Sequence, residues 1–298
     1  MSAAPGASKI PNVLSIAGVD PCGGAGIFAD LKAFAAAGAY GCGVVAALTA
    51  QNTQSVTGVH VPPIDFLRLQ IDTLFADVSI QATKIGMLGS AGVIAAVADR
   101  LAHWRAANVV LDPVMVAKSG DTLLAKNAIS MLREALFPQA FMITPNLPEA
   151  AVLLACRAPE TVKEMYRAAE RLRALLPHAS ERWVLLKGGH LPGETLTDLL
   201  FDGDRMIELR GTRIPTRNTH GTGCSLSSAI AALLPQRANA QHPVEAAVRE
   251  ARQWLLGAIA RAGELAVGHG HGPVHHFHAL WHPSSGKRLT APYPGENP

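Results

Sequence analysis

Charge is scarce in this sequence. Only 16% of its 298 residues are Asp, Glu, Lys or Arg, against 49% hydrophobic, so a sizeable core is available and global disorder is excluded. No block of like charge occurs, and the formal net charge is +3. A nucleic-acid groove needs clustered cations, and none is expected. Cysteine is thin too: Cys22, Cys42, Cys156 and Cys224 form no CxxC pair. That argues against a disulfide framework and for a reducing, cytoplasmic location. Residues 1–11 carry one lysine and no apolar centre, which predicts a flexible tail and not a signal peptide. The charge-free run 33–50 is broken by Gly38, Gly41 and Gly43, so it predicts a helix, a turn and a buried strand instead of a membrane span. Internal repeats, a long linker and a GxxxxGK[ST] loop are all missing. One domain over 1–298 is expected, and any phosphate must be held by a device other than a Walker loop.

Such a device is present at Asn218-Thr219-His220-Gly221-Thr222-Gly223-Cys224-Ser225, followed by the apolar run 226–234. A glycine-rich turn that opens a helix presents unpaired backbone N–H groups and the positive end of the helix dipole. A phosphate is the natural guest, and the same field is expected to favour the Cys224 thiolate. An ordinary Ser- or Thr-capped helix start is the alternative reading of this stretch alone.

In chain order, strands and helices alternate. Residues 12–17 predict a buried strand, 18–26 a glycine-rich loop and 27–37 a helix, the first half of a βαβ unit. Asp30 falls one turn into that helix, either facing the crevice or solvated. Gly41, Gly43 and Ala46 match the dinucleotide fingerprint formally, but they precede a strand (44–48) instead of following one, so a dinucleotide oxidoreductase is rejected. Gln51 falls in the next loop with donors and an acceptor suited to a heterocycle edge. Helices are predicted at 63–78 and 91–106, with strands at 82–88 (ending near Met87), 108–111, 141–144 and 183–186. Asp112 stands at a strand's carboxyl end, well placed for Mg²⁺. Asn146 and Glu149, three apart at a helix start, could share a metal. Lys187 meets Gly188 and Gly189 at another strand end. A hairpin (197–201 and 206–209) and a long helix (243–267) follow. The His-rich tail 268–278 lacks carboxylate or Cys partners, which favours a packed tail over a metal site. The alternation predicts an α/β fold, a three-layer α/β/α sandwich on a central, mostly parallel sheet. Polar groups recurring at strand ends point to phosphoryl transfer.

The segments AGVDPCGGAGIFADLKAFAAAGAYG, ALTAQNT, TKIGMLGS, VVLDPVMVAKSGD, ITPNLPEA, LLKGGH, NTHGTGCSLSSAIAA and VGHGHGPVHHFH occur in this order over nearly the whole chain. Together they closely resemble the hydroxymethylpyrimidine/phosphomethylpyrimidine kinases of the ribokinase-like superfamily. The resemblance implies ATP-dependent phosphorylation of 4-amino-5-hydroxymethyl-2-methylpyrimidine, then of its monophosphate, in thiamine biosynthesis. It implies that Gln51 binds the aminopyrimidine edge, with Gly18, Ala25, Met87 and Val114 lining the pocket. Gly221, Thr222, Gly223 and Cys224 would form the anion hole, with Cys224 taking the hydroxyl proton. Lys187, Asn146 and Thr219 would meet ATP, Asp112 and Glu149 would organise Mg²⁺, and Asp30 would stand near the second phosphoryl acceptor. A homodimer is expected, with small molecules as the other partners. Two positions depart from the usual pattern: Cys22 replaces a common Ser, and Thr49 an apolar residue. Pyridoxal kinase is the nearest rival, and a non-catalytic metabolite sensor on the same fold the next.

Overall fold

The computed structural model describes residues 10–115, 126–178 and 181–281. The expected tail therefore lies outside the described residues up to position 9, as does the end of the VVLDPVMVAKSGD segment from position 116. The strands are β1 (Asn12–Val19), β2 (Tyr40–Gln51), β3 (Val56–His60), β4 (Ala82–Ile85), β5 (Val109–Leu111), β6 (Met142–Ile143), β7 (Trp183–Leu186), β8 (Thr195–Phe201) and β9 (Met206–Thr212). The helices are α1 (Gly26–Ala36), α2 (Ile64–Asp77), α3 (Ala91–His103), α4 (Lys126–Met131), α5 (Leu147–Leu154), α6 (Val162–Arg173), α7 (Thr222–Leu233) and α8 (Pro243–Ala260).

Among the described residues the strands form one sheet in the order β3-β2-β1-β4-β5-β6-β7-β8-β9. The six strands from β2 to β7 run parallel, while β3, β8 and β9 join antiparallel at the two edges. Side chains of a strand alternate between faces, and the two cores follow that alternation. Val109, Leu111, Val184 and Leu186 pack into one cluster with residues of α2, α3, α5 and α6. Val110, Trp183 and Leu185 pack into the other with residues of α7 and α8. The three-layer, mostly parallel architecture expected from periodicity is what forms.

Three local expectations need correction. β2 begins at Tyr40, so Gly41 and Gly43 lie inside the strand. They are small because α1 presses on them: a Cβ at Gly41 would come within 2.8 Å of Leu31, and one at Gly43 within 3.2 Å of Ile27. β2 also runs through Gln51, which is its last residue instead of a loop amide, because the unforeseen edge strand β3 pairs with it. The final helix stops at Ala260 and gives way to a short turn at Ala262–Glu264, not at 267.

β1 is the point where the chain order reverses, with β2 on one side and β4 on the other. In such sheets the crevice beyond the strands' carboxyl ends at the reversal is the usual ligand site.

Candidate active site

The cleft lies at that reversal. Gly18 and Val19 end β1, Thr49 and Gln51 end β2, Met87 follows β4, and Asp112 and Val114 follow β5; all line it. Ala25, Glu149, Gly221, Gly223 and Cys224 also line it, as do Asp20, Gly26 and His220. The sequence-derived pocket residues Gln51, Gly18, Ala25, Met87 and Val114 are thus brought together.

The floor is the start of α7. Its N-cap is Gly221, which offers no side chain to the first-turn N–H groups, so the Ser/Thr-capped alternative does not occur. Helical hydrogen bonding begins with Ser225 N–H donating to Gly221 O at 2.8 Å. The N–H groups of Thr222, Gly223 and Cys224 are left without intrahelical acceptors, at the positive end of the dipole. Gly221 has φ 75°, a region L side chains avoid. A Cβ there would also run into the Gly24 carbonyl oxygen.

The loop after β1 is clamped onto this floor by a pair of residues given no role in the sequence. Asp20 Oδ1 accepts from Cys22 N–H and Oδ2 from Ala25 N–H, each at 2.9 Å. His220 Nε2 lies 2.7 Å from the same Oδ2, with both side chains buried. A carboxylate only accepts, so Nε2 carries the proton. Burial pushes the Asp20 carboxyl upward, but the His220 bond and the two N–H bonds outweigh it and hold it below the usual range. The two residues are 200 apart in sequence, which is why their pairing was invisible there.

Above the helix start stand Asp112 and Lys187, joined at 2.9 Å. A Cβ at Gly223 would lie 3.2 Å from Lys187 Nζ and 3.5 Å from Asp112 Oδ2. Thr144 Oγ1 also donates to Asp112, at 3.0 Å. Burial opposes ionisation of Asp112, but Lys187 and Lys84 overcome it and lower its pKa. Glu149 lacks that compensation. Burial pushes its carboxyl up to about 7 despite Lys187, and Asp112 adds to the rise. Asn146 stands at the N-cap of α5, with Glu149 three residues on. The two form a capping box, with Asn146 Oδ1 accepting from Glu149 N–H at 2.9 Å and Glu149 Oε2 from Asn146 N–H at 2.7 Å. Asn146, Lys187, Thr219 and Thr222 do not line the cleft themselves.

Because the folded pKa of Glu149 exceeds its ordinary 4.5, the folded state holds the proton more tightly than the unfolded one. Its contribution therefore makes stability fall as pH rises from 4.5 to 7. Glu149→Gln copies the protonated form and keeps an accepting oxygen for the capping box. It is expected to stabilise the protein at pH 8 by up to about 3 kcal/mol, with no gain at pH 4. Thermal melts at the two pH values check this; equal shifts at both would count against it.

Two site expectations are corrected. Asp30 does not face the crevice. It is completely buried, with Lys84 Nζ 2.8 Å from each carboxylate oxygen, Ser15 Oγ at 2.6 Å and Ser228 Oγ at 2.7 Å. Nor does the helix start make Cys224 a standing thiolate. Burial pushes its thiol up to about 11, helped by the carboxylates of Asp30 and Asp112, and the pull of Lys84 and the Gly26 N–H does not offset this. The His-rich tail packs against the site's back: Ser225 Oγ and His276 Nε2 are 2.9 Å apart, and burial holds the His276 imidazole neutral, down to about 3.

The phosphomethylpyrimidine kinase family matches residues 20–275. The chain is 52% identical over 270 residues to the hydroxymethylpyrimidine/phosphomethylpyrimidine kinase of Escherichia coli, covering 91% of this chain and 98% of that one. Among solved structures, an ADP complex of Bacillus subtilis pyridoxal kinase superposes with a TM-score of 0.81 at 33% identity, over 91% of this chain and 99% of that one. A phosphomethylpyrimidine kinase from Clostridium difficile gives 0.71 at 36% identity, over 84% and 100%.

Proposed function

Because the chain belongs to the phosphomethylpyrimidine kinase family, we propose that it transfers the γ-phosphoryl group of ATP to the hydroxymethyl oxygen of 4-amino-5-hydroxymethyl-2-methylpyrimidine, and then to the resulting monophosphate, for thiamine biosynthesis. The observation that carries this reading is the uncapped start of α7 in the wall of the same cleft as Gln51. A planar ring held at Gln51 occupies the cleft that the anion hole also lines. The rival pyridoxal kinase reading fits the fold as well, but the 52% relative favours the pyrimidine.

Phosphoryl transfer asks a protein chiefly for positioning and charge stabilisation. The N–H groups of Gly223 and Cys224 bind the transferred phosphoryl oxygens, and Lys187 meets the ATP phosphates. The substrate hydroxyl oxygen bonds to the γ-phosphorus while the bond to the β-phosphate oxygen breaks, releasing ADP. The hydroxyl proton goes to the Cys224 sulfur when that is ionised. Asp112 and Glu149 suit Mg²⁺. They offer carboxylate oxygens, hard ligands for a hard cation. That suits a cation that keeps water and phosphate ligands. Lys187 does not offset the burial of Glu149, so its carboxylate would gain from a further cation nearby. When bound, Mg²⁺ neutralises phosphate charge. Four free cysteines suit a cytoplasmic location.

The test is a coupled ATP assay on the hydroxymethylpyrimidine, with mono- and diphosphate resolved by chromatography. Sequential appearance of both is expected. Turnover of pyridoxal with none of the pyrimidine would overturn the reading.

The chain also works as a homodimer. Tyr40, Leu48, Val59, Phe66 and Leu69 are all exposed and all lie on β2, β3 or α2, at one edge of the sheet. Exposed apolar side chains gathered at one sheet edge suit an interaction surface. Sedimentation at micromolar concentration should give twice the 31.3 kDa chain mass; a monomer would remove the dimer from the reading.

A further inference from the structure

Both departures from the family's usual pattern touch Gln51. Cys22 Sγ donates to the Gln51 backbone carbonyl at 3.6 Å. Thr49 Oγ1 lies 2.8 Å from the Val19 carbonyl oxygen and 3.2 Å from the side-chain oxygen placed on Gln51. The geometry at Thr49 poses a problem of proton count. A threonine hydroxyl has one proton to donate. The Val19 carbonyl can only accept and is the nearer partner, so it takes that proton. The remaining face of Oγ1 then carries lone pairs alone, and an amide oxygen opposite it would be repelled. The two ends of a carboxamide have the same shape, and hydrogen bonding decides which is which. With the amide turned over, its NH₂ donates to Oγ1 at the same separation.

We infer that Thr49 fixes the Gln51 carboxamide with its nitrogen against the Thr49 hydroxyl and its carbonyl oxygen toward the cleft, and that this fixed orientation selects an aminopyrimidine over an oxopyrimidine. The inference rests on the proposed role of Gln51 in reading the ring. A 4-aminopyrimidine presents an N–H donor beside a ring-nitrogen acceptor. Those meet the carbonyl oxygen and the second N–H of a carboxamide held this way. A 4-oxo ring with its neighbouring nitrogen protonated presents the reverse order. It can be paired only if the amide turns over, which returns an oxygen to face the lone pairs of Oγ1. Thr49 never touches the substrate in this account; it is a positioning residue. The chain builds the hydroxyl into place through the parallel register of β1 and β2, where Val19 sits opposite Leu48, next to Thr49.

The experiment compares kcat/KM for 4-amino-5-hydroxymethyl-2-methylpyrimidine and its 4-oxo analogue. Thr49→Val keeps the shape and loses the hydroxyl. It should cut the preference for the amino compound roughly tenfold, about the effect of one misplaced hydrogen bond in a site, partly through better use of the oxo compound. Thr49→Ala must shift the preference in the same direction, and Thr49→Ser must keep it. A merely structural role would lower both substrates alike and leave the ratio unchanged. An unchanged ratio in Thr49→Val and Thr49→Ala, with the ratio lost in Gln51→Ala, overturns the role of Thr49 and leaves Gln51 as the reader. An unchanged ratio in Gln51→Ala overturns both.

Discussion

Cys224→Ala is expected to lower kcat by about 10²- to 10⁴-fold, the range for loss of a positioned proton acceptor. The alkaline behaviour of the enzyme should change with it. The thiol is pushed up to about 11 by burial and by the Asp30 and Asp112 carboxylates, so at neutral pH the thiolate is a small minority. Ionisation grows as pH rises, and each unit below the pKa multiplies the thiolate about tenfold. The wild-type log kcat should therefore climb with pH through 8 and 9 with no plateau, and Cys224→Ala should be flat there. The comparison separates a proton acceptor from a packing residue, since a packing defect would lower the whole profile without flattening it. A wild-type profile already level at pH 7 would sink the assignment. That outcome would pass the proton to the departing phosphoryl oxygens, which the late proton loss of a loose transition state permits.

Lys84→Met is expected to cost about 3–5 kcal/mol of folding stability, the range for breaking one side of a buried ion pair. Lys84 and Asp30 are both fully shielded from water, with the ammonium 2.8 Å from both carboxylate oxygens. Burial works to lower the Lys84 pKa, but Asp30 outweighs it and raises the pKa well above the ordinary value. The Lys84 ammonium thus stays charged throughout the physiological range. Removing the cation leaves a carboxylate with only the hydroxyls of Ser15 and Ser228. The double variant Lys84→Met with Asp30→Asn should recover part of the loss, because no bare charge is then left inside. Denaturant unfolding of wild type, both single variants and the double variant gives the coupling; additive losses would show that the two groups do not act as a pair. The pair also bears on the site. Ser228 is one helical turn beyond Cys224 on α7, so Asp30 of α1 ties that turn to β4 and β1.

The layers were legible because their signals are local. The continuous apolar runs of β5 and β7 and the amphipathic pattern of α2 and α3 are written in consecutive residues. So was the floor of the cleft, since a glycine-rich turn before an apolar run is a short-range signature. What escaped was set by partners far along the chain. A lysine at position 84, inside a strand flanked on both sides by parallel neighbours, requires a buried carboxylate, but nothing local names Asp30. Asp20 and His220 both stood in quoted stretches, and only the fold puts 2.7 Å between them. Cys224 was misjudged because the helix dipole is visible in the sequence and the depth of burial is not. Gln51 was placed in a loop because β3 has a weak, exposed pattern and gives little sign of itself.

The segment after α8 has a consequence for synthesis of the chain. His220 N–H donates to the Gly272 carbonyl at 3.0 Å, Gly24 packs against His220 and Pro273, and Ser225 faces His276. The floor of the cleft is therefore closed by residues made some 200 positions after the loop they close onto. At about 5–20 residues per second, roughly 10–40 s separate the emergence of Asp20 from that of His220. Through that interval Asp20 has only its local partners, the N–H groups of Cys22 and Ala25, and Asp30 lacks the Ser228 hydroxyl. No nascent chain that stops short of Gly272 contains the assembled cleft, so catalytic competence arrives in a single late step.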